Sequence, residues 1–488
     1  MTQKEMQSIL EIGTAISSEK DYNRLLEMIL NRIMELTHAD AGTLYLADGD
    51  VLRFKIMCNN TMHTCEGGDG KEPNLPPVRM SRENVCVMCY LENRTVCIEN
   101  VRTSTEYDFS GPVRYDAMTG YHTQFMLVVP MHNRQGERLG VIQLINAMDA
   151  AGNICAFPAD IIPAVESVAS QAAITIQNVL YIENIKELFE SFVRVMSSAV
   201  DERTPYNASH TRHMVEYGRH FIDYLNETAK AEGREPWFDA EHRHELLMSV
   251  WLHDIGKLVI PLEVMNKEAR LLPEQKSEIL HRFEKMRLLA QIACLKGAIS
   301  GETLEKRLEE LKQAGDTILR ANTAGFCPDD LREEICRIRE KTYTEEDGSE
   351  KPWLEEEEFQ MLMIRKGTLS EKERAVMESH VVITDKLLSE IRFSKELSHV
   401  REWAASHHEL LNGSGYPEHL MAEQIPMEVR IITILDIFDA LVADDRPYKP
   451  GMPVEKALGI LDIMANKEGK LDPELTRLFR KSRCWEKD

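Results

Sequence analysis

Trp251-Leu252-His253-Asp254-Ile255-Gly256-Lys257 is the stretch from which the fold of the larger part of this chain is read. A histidine and an aspartate stand side by side at the end of a helical run, and a glycine-containing turn follows them. Outward from this pair, four more segments offer metal-binding side chains. Asn207-Ala208-Ser209-His210 lies upstream; Glu378-Ser379-His380, His407-His408-Glu409 and Leu435-Asp436-Ile437-Phe438-Asp439 lie downstream. Each falls on or at the end of a predicted helix, and helices projecting His and carboxylates inward are how all-α bundles build two-metal sites. Imidazole with carboxylate suits Fe, Mn, Ni, Co or Zn rather than Mg or Ca. Asp254 is placed to bridge two metals while His253 binds one. Two metals about 3.5–4 Å apart clamp both the attacking and the leaving oxygen of a phosphodiester. Gly256 is expected to let the helix stop, throwing Lys257 toward the site, where an ammonium offsets phosphate charge. A single helical His is usually a surface or satisfied core residue, and His213 and His220 are read that way. Five such segments together are a stronger signal than any one of them.

The same residues carry a resemblance. His253 to Lys257, followed by Ile260-Pro261, resembles the HD motif of the HD-domain phosphohydrolase superfamily. His407-His408-Glu409-Leu410-Leu411-Asn412-Gly413-Ser414-Gly415-Tyr416-Pro417 resembles the signature of its HD-GYP branch. Asp436 to Leu441, with Arg446-Pro447-Tyr448-Lys449, resembles that branch's downstream segment, so the likeness covers about 201–461 apart from one insertion. It implies an all-α domain that hydrolyses cyclic di-GMP with two divalent transition metals, Fe or Mn. It implies His210, His253, Asp254, His380, His407, His408 and Asp436 as metal ligands, and Asp254 and Lys257 as catalytic. Lys257, Arg446 and Lys449 would meet substrate phosphates, with Gly415, Tyr416 and Pro417 shaping the site beside them. Two departures stand out: Tyr206 occupies a position where some members carry a Glu for a third metal, and Asn412 stands where Asp is common. Two alternatives stay open, a non-catalytic receptor and a phosphodiesterase for another cyclic dinucleotide such as cyclic GMP-AMP. A charge-rich helical block, 268–365, separates Asn266-Lys267 from Lys366-Gly367-Thr368-Leu369-Ser370, which read as two halves of one loop.

The N-terminal part reads differently. A helix is expected up to Thr37, with apolar Ile9, Leu10, Ile12, Ile16, Leu25, Leu26, Ile29, Leu30 and Ile33 on one face. Alternating runs on either side of Asp48-Gly49-Asp50 predict a hairpin, and Phe125–Met131 with Leu139–Asn146 predicts a second strand pair. Met126 to Glu137 and Gly140 to Asn146, with Asp108 to Gly111 and Thr119 to Tyr121, resemble GAF domains. The resemblance implies a sensor but no identified ligand: the pattern of cyclic-nucleotide-binding members survives only as Asn146, Phe157 and Asp160, with Ala147 in place of Lys. Cys58, Cys65, Cys86, Cys89 and Cys97 fall between the strand pairs, and Cys86 and Cys89 form a C-x-x-C pair. Cys58, Cys65, Cys86 and Cys89 are read as a redox or metal site, against the alternative of small buried hydrophobes.

From 159 to 200 the pattern is one long helix. Val165, Val168, Ala172, Ile176, Val179 and Ile182 share a stripe that Ile185, Phe189, Phe192 and Met196 continue, which predicts a seam between two copies of the chain. The reading is therefore multidomain: an α+β GAF-like sensor domain over 1–182, a connecting helix over 183–200, and an all-α HD-GYP domain over 201–488 with the helical insertion. Among 488 residues no run is apolar enough to span a membrane, and the first residues lack the pattern of a signal peptide, so a cytoplasmic location is expected. A net charge of −23 argues against a nucleic-acid polymer as partner. It leaves room for a small anionic substrate in a locally basic pocket.

Overall fold

Asp21 accepts a hydrogen bond from the Arg24 backbone N–H and starts α1 (Tyr22–Thr37) in a computed structural model describing residues 19, 21–68, 73–133, 135–203, 209–443 and 451–486. The first part of the expected N-terminal helix lies outside these residues, as do Tyr206, Arg446 and Lys449. The chain divides into two compact units after Phe189.

In the first unit the two expected hairpins form. β1 (Ala39–Asp48), β2 (Val51–Asn59), β3 (Thr64–Glu66) and β4 (Val78–Arg79) precede α2 (Val85–Glu92), β5 (Val96–Ile98) and α3 (Ser110–Thr119). β6 (Met126–His132), β7 (Arg138–Met148), β8 (Ile154–Cys155) and α4 (Ile162–Asp201) follow. The sheet is antiparallel in the order β3-β2-β1-β7-β6-β5, with β4 paired to β2 and β8 to β7. Strand side chains alternate between faces. Leu44, Leu46, Ile142 and Leu144 pack with Leu26, Ile29 and Ile33 of α1 and with Val165, Val168, Ala172 and Ile176 of α4. Tyr45 and Val141 point into a second core with Cys86, Cys89, Ile98 and Phe109.

This packing corrects half of the expected seam. Val165, Val168, Ala172 and Ile176 are spent on the domain's own core. What α4 leaves open is Tyr181, Ile182, Ile185, Leu188, Phe192 and Val195, which are 52–70% exposed.

In the second unit, α5 (His210–Ala231), α6 (Ala240–Leu252), a 3-10 turn (Ile255–Leu258) and α7 (Leu262–Met265) lead into the insertion. The insertion holds α8 (Pro273–Leu295), α9 (Gly301–Thr323), α10 (Asp329–Arg339), β9 (Thr342–Thr344), β10 (Glu350–Pro352) and α11 (Glu356–Leu362). Beyond it come α12 (Glu371–Glu378), α13 (His380–Leu388), α14 (Val400–Ala405), α15 (Met427–Val442), α16 (Val454–Asn466) and α17 (Pro473–Ser482). Helices α5, α6, α15, α16 and α17 share one core around Phe221, Leu246, Ile432, Phe438, Leu461 and Phe479.

The insertion gathers a core of its own around Ile279, Phe283, Ile318, Ile335, Trp353 and Leu362. Its β9–β10 hairpin corrects the expectation of a purely helical second half. Thr342-Tyr343-Thr344 and the Asp347-Gly348 turn carried that signal, hidden among charged neighbours. At its base, Lys267 Nζ donates to Glu373 Oε1 at 2.7 Å and Thr368 Oγ1 donates to the Lys267 carbonyl at 3.0 Å, so the two flanking segments meet. Among the described residues no helix is long and apolar enough to cross a membrane.

Candidate metal centre

The centre is assembled from helix ends. His210 opens α5, His253 caps the end of α6, His380 opens α13, His407 and His408 follow α14, and Asp436 lies within α15. Three of the rings are oriented in the same way. The Nδ1 atoms of His253, His380 and His407 each lie 2.7 Å from the backbone carbonyl three residues earlier, those of Val250, Met377 and Ala404. Such a bond fixes the tautomer with the proton on Nδ1 and leaves the Nε2 lone pair free.

All three Nε2 atoms point inward around Asp254, at 3.2, 3.5 and 3.9 Å from its carboxylate oxygens for His253, His380 and His407. The Nε2 atoms and Asp254 Oδ1 are buried and have no hydrogen-bond partner. Four orphaned acceptors around one point are costly unless a cation satisfies them. This donor set fits a metal. Two groups bring three ligand atoms each within 4.8 Å: His210 with His253 and Asp254, and His380 with His407 and His408. Asp436 stands between them, with Oδ1 at 3.3 Å from His210 Nε2 and Oδ2 at 3.7 Å from His408 Nδ1. All seven ligand residues expected from the sequence therefore converge.

The electrostatics of His380, His407, His408, Asp254 and Asp436 agree with a ligand role. Burial pushes the His380 imidazole down to about 4 and holds those of His407 and His408 below their ordinary range, so these rings stay neutral. Burial alone would raise Asp254, but Lys257 and His253 hold its carboxyl well below the usual range. Asp436 is likewise held low against burial, by His210 and His408. His210 goes the other way: burial lowers it, yet its hydrogen bonds to Asp436 and Asp439 push it up to about 10.

Three expectations need adjustment. Gly256 is not a helix terminator with a left-handed backbone. A Cβ there would sit 1.9 Å from the His380 carbonyl and 2.7 Å from the Thr384 nitrogen, so its role is close approach to α13. Thr384 reinforces that contact, accepting from the Gly256 N–H and donating to the His253 carbonyl. Lys257 reaches the site, but its Nζ donates to Asp254 Oδ2 at 2.5 Å, so its charge is already engaged. The four sensor cysteines do not converge. Cys58 and Cys65 form a disulfide across β2 and β3, whereas Cys86 and Cys89 are buried free thiols. Asn84 caps α2 and directs the C-x-x-C pair into the sheet-facing core, where burial pushes the Cys86 thiol up to about 12.

The sequence motifs contain two supporting carboxylates to which sequence reasoning assigned no role. Asp439 Oδ2 holds His210 Nδ1 at 2.6 Å, and Oδ1 lies 3.4 Å from His213 Nδ1, so His213 is not an idle surface histidine. Its spacing of three from Asp436, one helical turn on the same face, was the available signal. The other is Glu409, which is buried and accepts from the Glu418 and Leu420 N–H groups at 2.6 and 2.9 Å. The Gly415-Tyr416-Pro417 segment lies beside the centre: the Tyr416 ring is 4.8 Å from that of His408. A Cβ on Gly415 would meet the Leu410 nitrogen at 2.3 Å.

Residues 21–176 match the GAF domain family and residues 357–475 match the HD domain family. The HD match begins within the last helix of the insertion and so leaves out His253 and Asp254. Among curated proteins, the chain is 36% identical over 121 residues to 3'3'-cGAMP-specific phosphodiesterase 3 of Vibrio cholerae, covering 25% of each. It is 40% identical over 102 residues to the cyclic di-GMP phosphodiesterase response regulator RpfG of Xanthomonas campestris, covering 20% of this chain and 26% of that one. Over 121 residues it is 36% identical to a cyclic di-GMP phosphodiesterase of Thermotoga maritima, covering 25% and 32%. The chain thus spans between a quarter and a third of the length of these relatives.

Proposed function

For a chain that carries a GAF domain and an HD domain, we propose metal-dependent hydrolysis of the 3′–5′ phosphodiester bonds of a cyclic dinucleotide, cyclic di-GMP, in bacterial second-messenger signalling. The observation that carries this reading is the ring of orphaned Nε2 atoms around Asp254. His210, His253 and Asp254 would hold one metal and His380, His407 and His408 the other, with Asp436 between them. Fe or Mn suits this mixture of imidazole and carboxylate. When bound, the pair supplies Lewis acidity at the phosphoryl group and an activated water.

The protein's own groups do the remainder. Asp254 keeps its carboxylate ionised for the metals. Lys257 offers an ammonium beside it that offsets charge growing on the leaving oxygen. Arg446 and Lys449 are assigned to the substrate phosphates, and the loop through Gly415, Tyr416 and Pro417 closes the side next to His408. The GAF-like domain is assigned a regulatory role.

A second reading, cyclic GMP-AMP as substrate, is favoured by the likeness to the cGAMP-specific relative. The experiment is hydrolysis of a panel of cyclic dinucleotides by protein loaded with Fe or Mn, followed by separation of linear and mononucleotide products. Turnover of cyclic di-GMP above the mixed dinucleotide supports the first reading, and the reverse order supports the second. Binding of either without cleavage under any metal would leave a receptor and sink the hydrolase.

A further inference from the structure

The loop beside the metal centre has an unusual support. Residues 412–420 are separated from His408 by three residues, and Glu418 and His419 are exposed. His419 adopts φ +55°, a left-handed conformation uncommon for a non-glycine residue. The residues on either side of it, Glu418 and Leu420, both aim their backbone N–H groups at one carboxylate, that of Glu409. Backbone N–H groups converging around a left-handed residue form a concave anion-binding nest, and here the anion is supplied by the chain itself. Glu409 is 2% exposed, so its charge has been taken out of water and depends on these two donors. The Tyr416 N–H adds a bond to the His408 carbonyl, which ties the same loop to a ligand residue.

We propose that Glu409 is a positioning residue: its buried carboxylate holds the 412–420 loop in the one shape that sets Tyr416 against His408 and walls the substrate side of the centre. The substrate part of this inference rests on the phosphodiesterase reading above; the loop part does not. The chemistry calls for a carboxylate and not merely a polar side chain. Each oxygen accepts one N–H, so an amide of the same shape would turn its own N–H₂ toward one of the two donors. Glu409 touches neither a metal ligand's ring nitrogen nor the reacting atoms, and it acts through the loop.

The test compares Glu409→Gln, Glu409→Asp and the unaltered chain. Expected for Glu409→Gln is an unchanged metal content, faster proteolysis within 412–420, and a KM for cyclic dinucleotide raised by about tenfold, the scale of one lost charge-assisted hydrogen bond, with a smaller change in kcat. Glu409→Asp, which keeps two acceptor oxygens, is expected to lie between. Hydrogen exchange on the unaltered protein provides a second measurement that needs no variant. The Glu418 and Leu420 amides are expected to exchange slowly although their loop is largely exposed. Fast exchange at both, or Glu409→Gln with unaltered proteolysis and KM, would overturn the proposal. If the unaltered protein cleaves no cyclic dinucleotide, the functional reading falls, while exchange and proteolysis still decide what Glu409 does.

Discussion

Removing His253 or Asp254 is expected to empty the centre, whereas removing His213 is not. His253 is fully buried with its Nε2 unsatisfied, and Asp254 is the carboxylate around which the other rings gather. His213 is more than a third exposed and touches the centre only through Asp439. Metal analysis of His253→Ala and Asp254→Ala should show most bound metal lost and hydrolysis abolished, with His213→Ala keeping most of both. Full turnover by Asp254→Ala with metal supplied would contradict the assignment. Gly256 gives a second test at the same scale. A methyl group there collides with the backbone of His380, so Gly256→Ala is expected to cost about 1–3 kcal/mol, the range for overpacking a buried site, and to lower metal content by displacing α13. Gly459, inside α16 with open space where a Cβ would stand, is the control. There the same substitution should be neutral, or stabilising by roughly 0.5–1 kcal/mol, as for Ala over Gly in a helix. Equal denaturant midpoints for the two variants would show that the close approach is unimportant.

At the scale of one element, α4 serves two purposes along its length. Its first half is part of the sensor core; its second half shows Tyr181, Ile185, Leu188, Phe192 and Val195 at alternating steps of four and three. That is the heptad spacing of a two-stranded coiled coil. Ile182, Phe189 and Met196 lie on one flank of the stripe and Asn184, Ser191 and Ser198 on the other. Glu183, Lys186, Glu187, Glu190 and Arg194 all fall on the outer face. No like charges would confront each other across a parallel pair, which supports the homodimer expected from this helix. Leu188→Asp with Phe192→Asp should convert dimer to monomer by sedimentation while leaving both units folded. Val168→Asp should instead unfold the sensor domain, because Val168 is wholly buried there. A monomeric unaltered protein would end the dimer reading.

At the scale of the molecule, the insertion is the feature whose removal is most informative. Its core is drawn from Leu271 to Leu362, and its flanks meet through Lys267, Thr368 and Glu373. Replacing 268–365 with a short glycine linker is therefore expected to leave the metal centre loaded and cyclic dinucleotide hydrolysis intact; loss of bound metal would show that the insertion supports the site. Much of this plan was legible beforehand. Period-two and period-three-to-four patterns gave the two hairpins and the helical second half, because burial of one face imposes those periods on any strand or helix. The seven candidate ligands were legible through the motifs that carry the family resemblance, since metal binding demands particular side chains at helix ends. The rest depended on which surfaces meet in space. Val168 and Phe192 belong to one apolar stripe in the sequence, yet only the first is packed into the sensor core. Gly256 reads as a helix terminator until α13 is seen pressed against it. Asp439 and Glu409 stand inside motifs legible in the sequence, but the groups they hold show only when folding buries them beside those groups. Local sequence determined the elements and the chemistry of the ligands, since those follow from each segment's own periodicity and side chains. Only tertiary structure decided partners, because the burial that gives a side chain its role is supplied by residues distant in the chain.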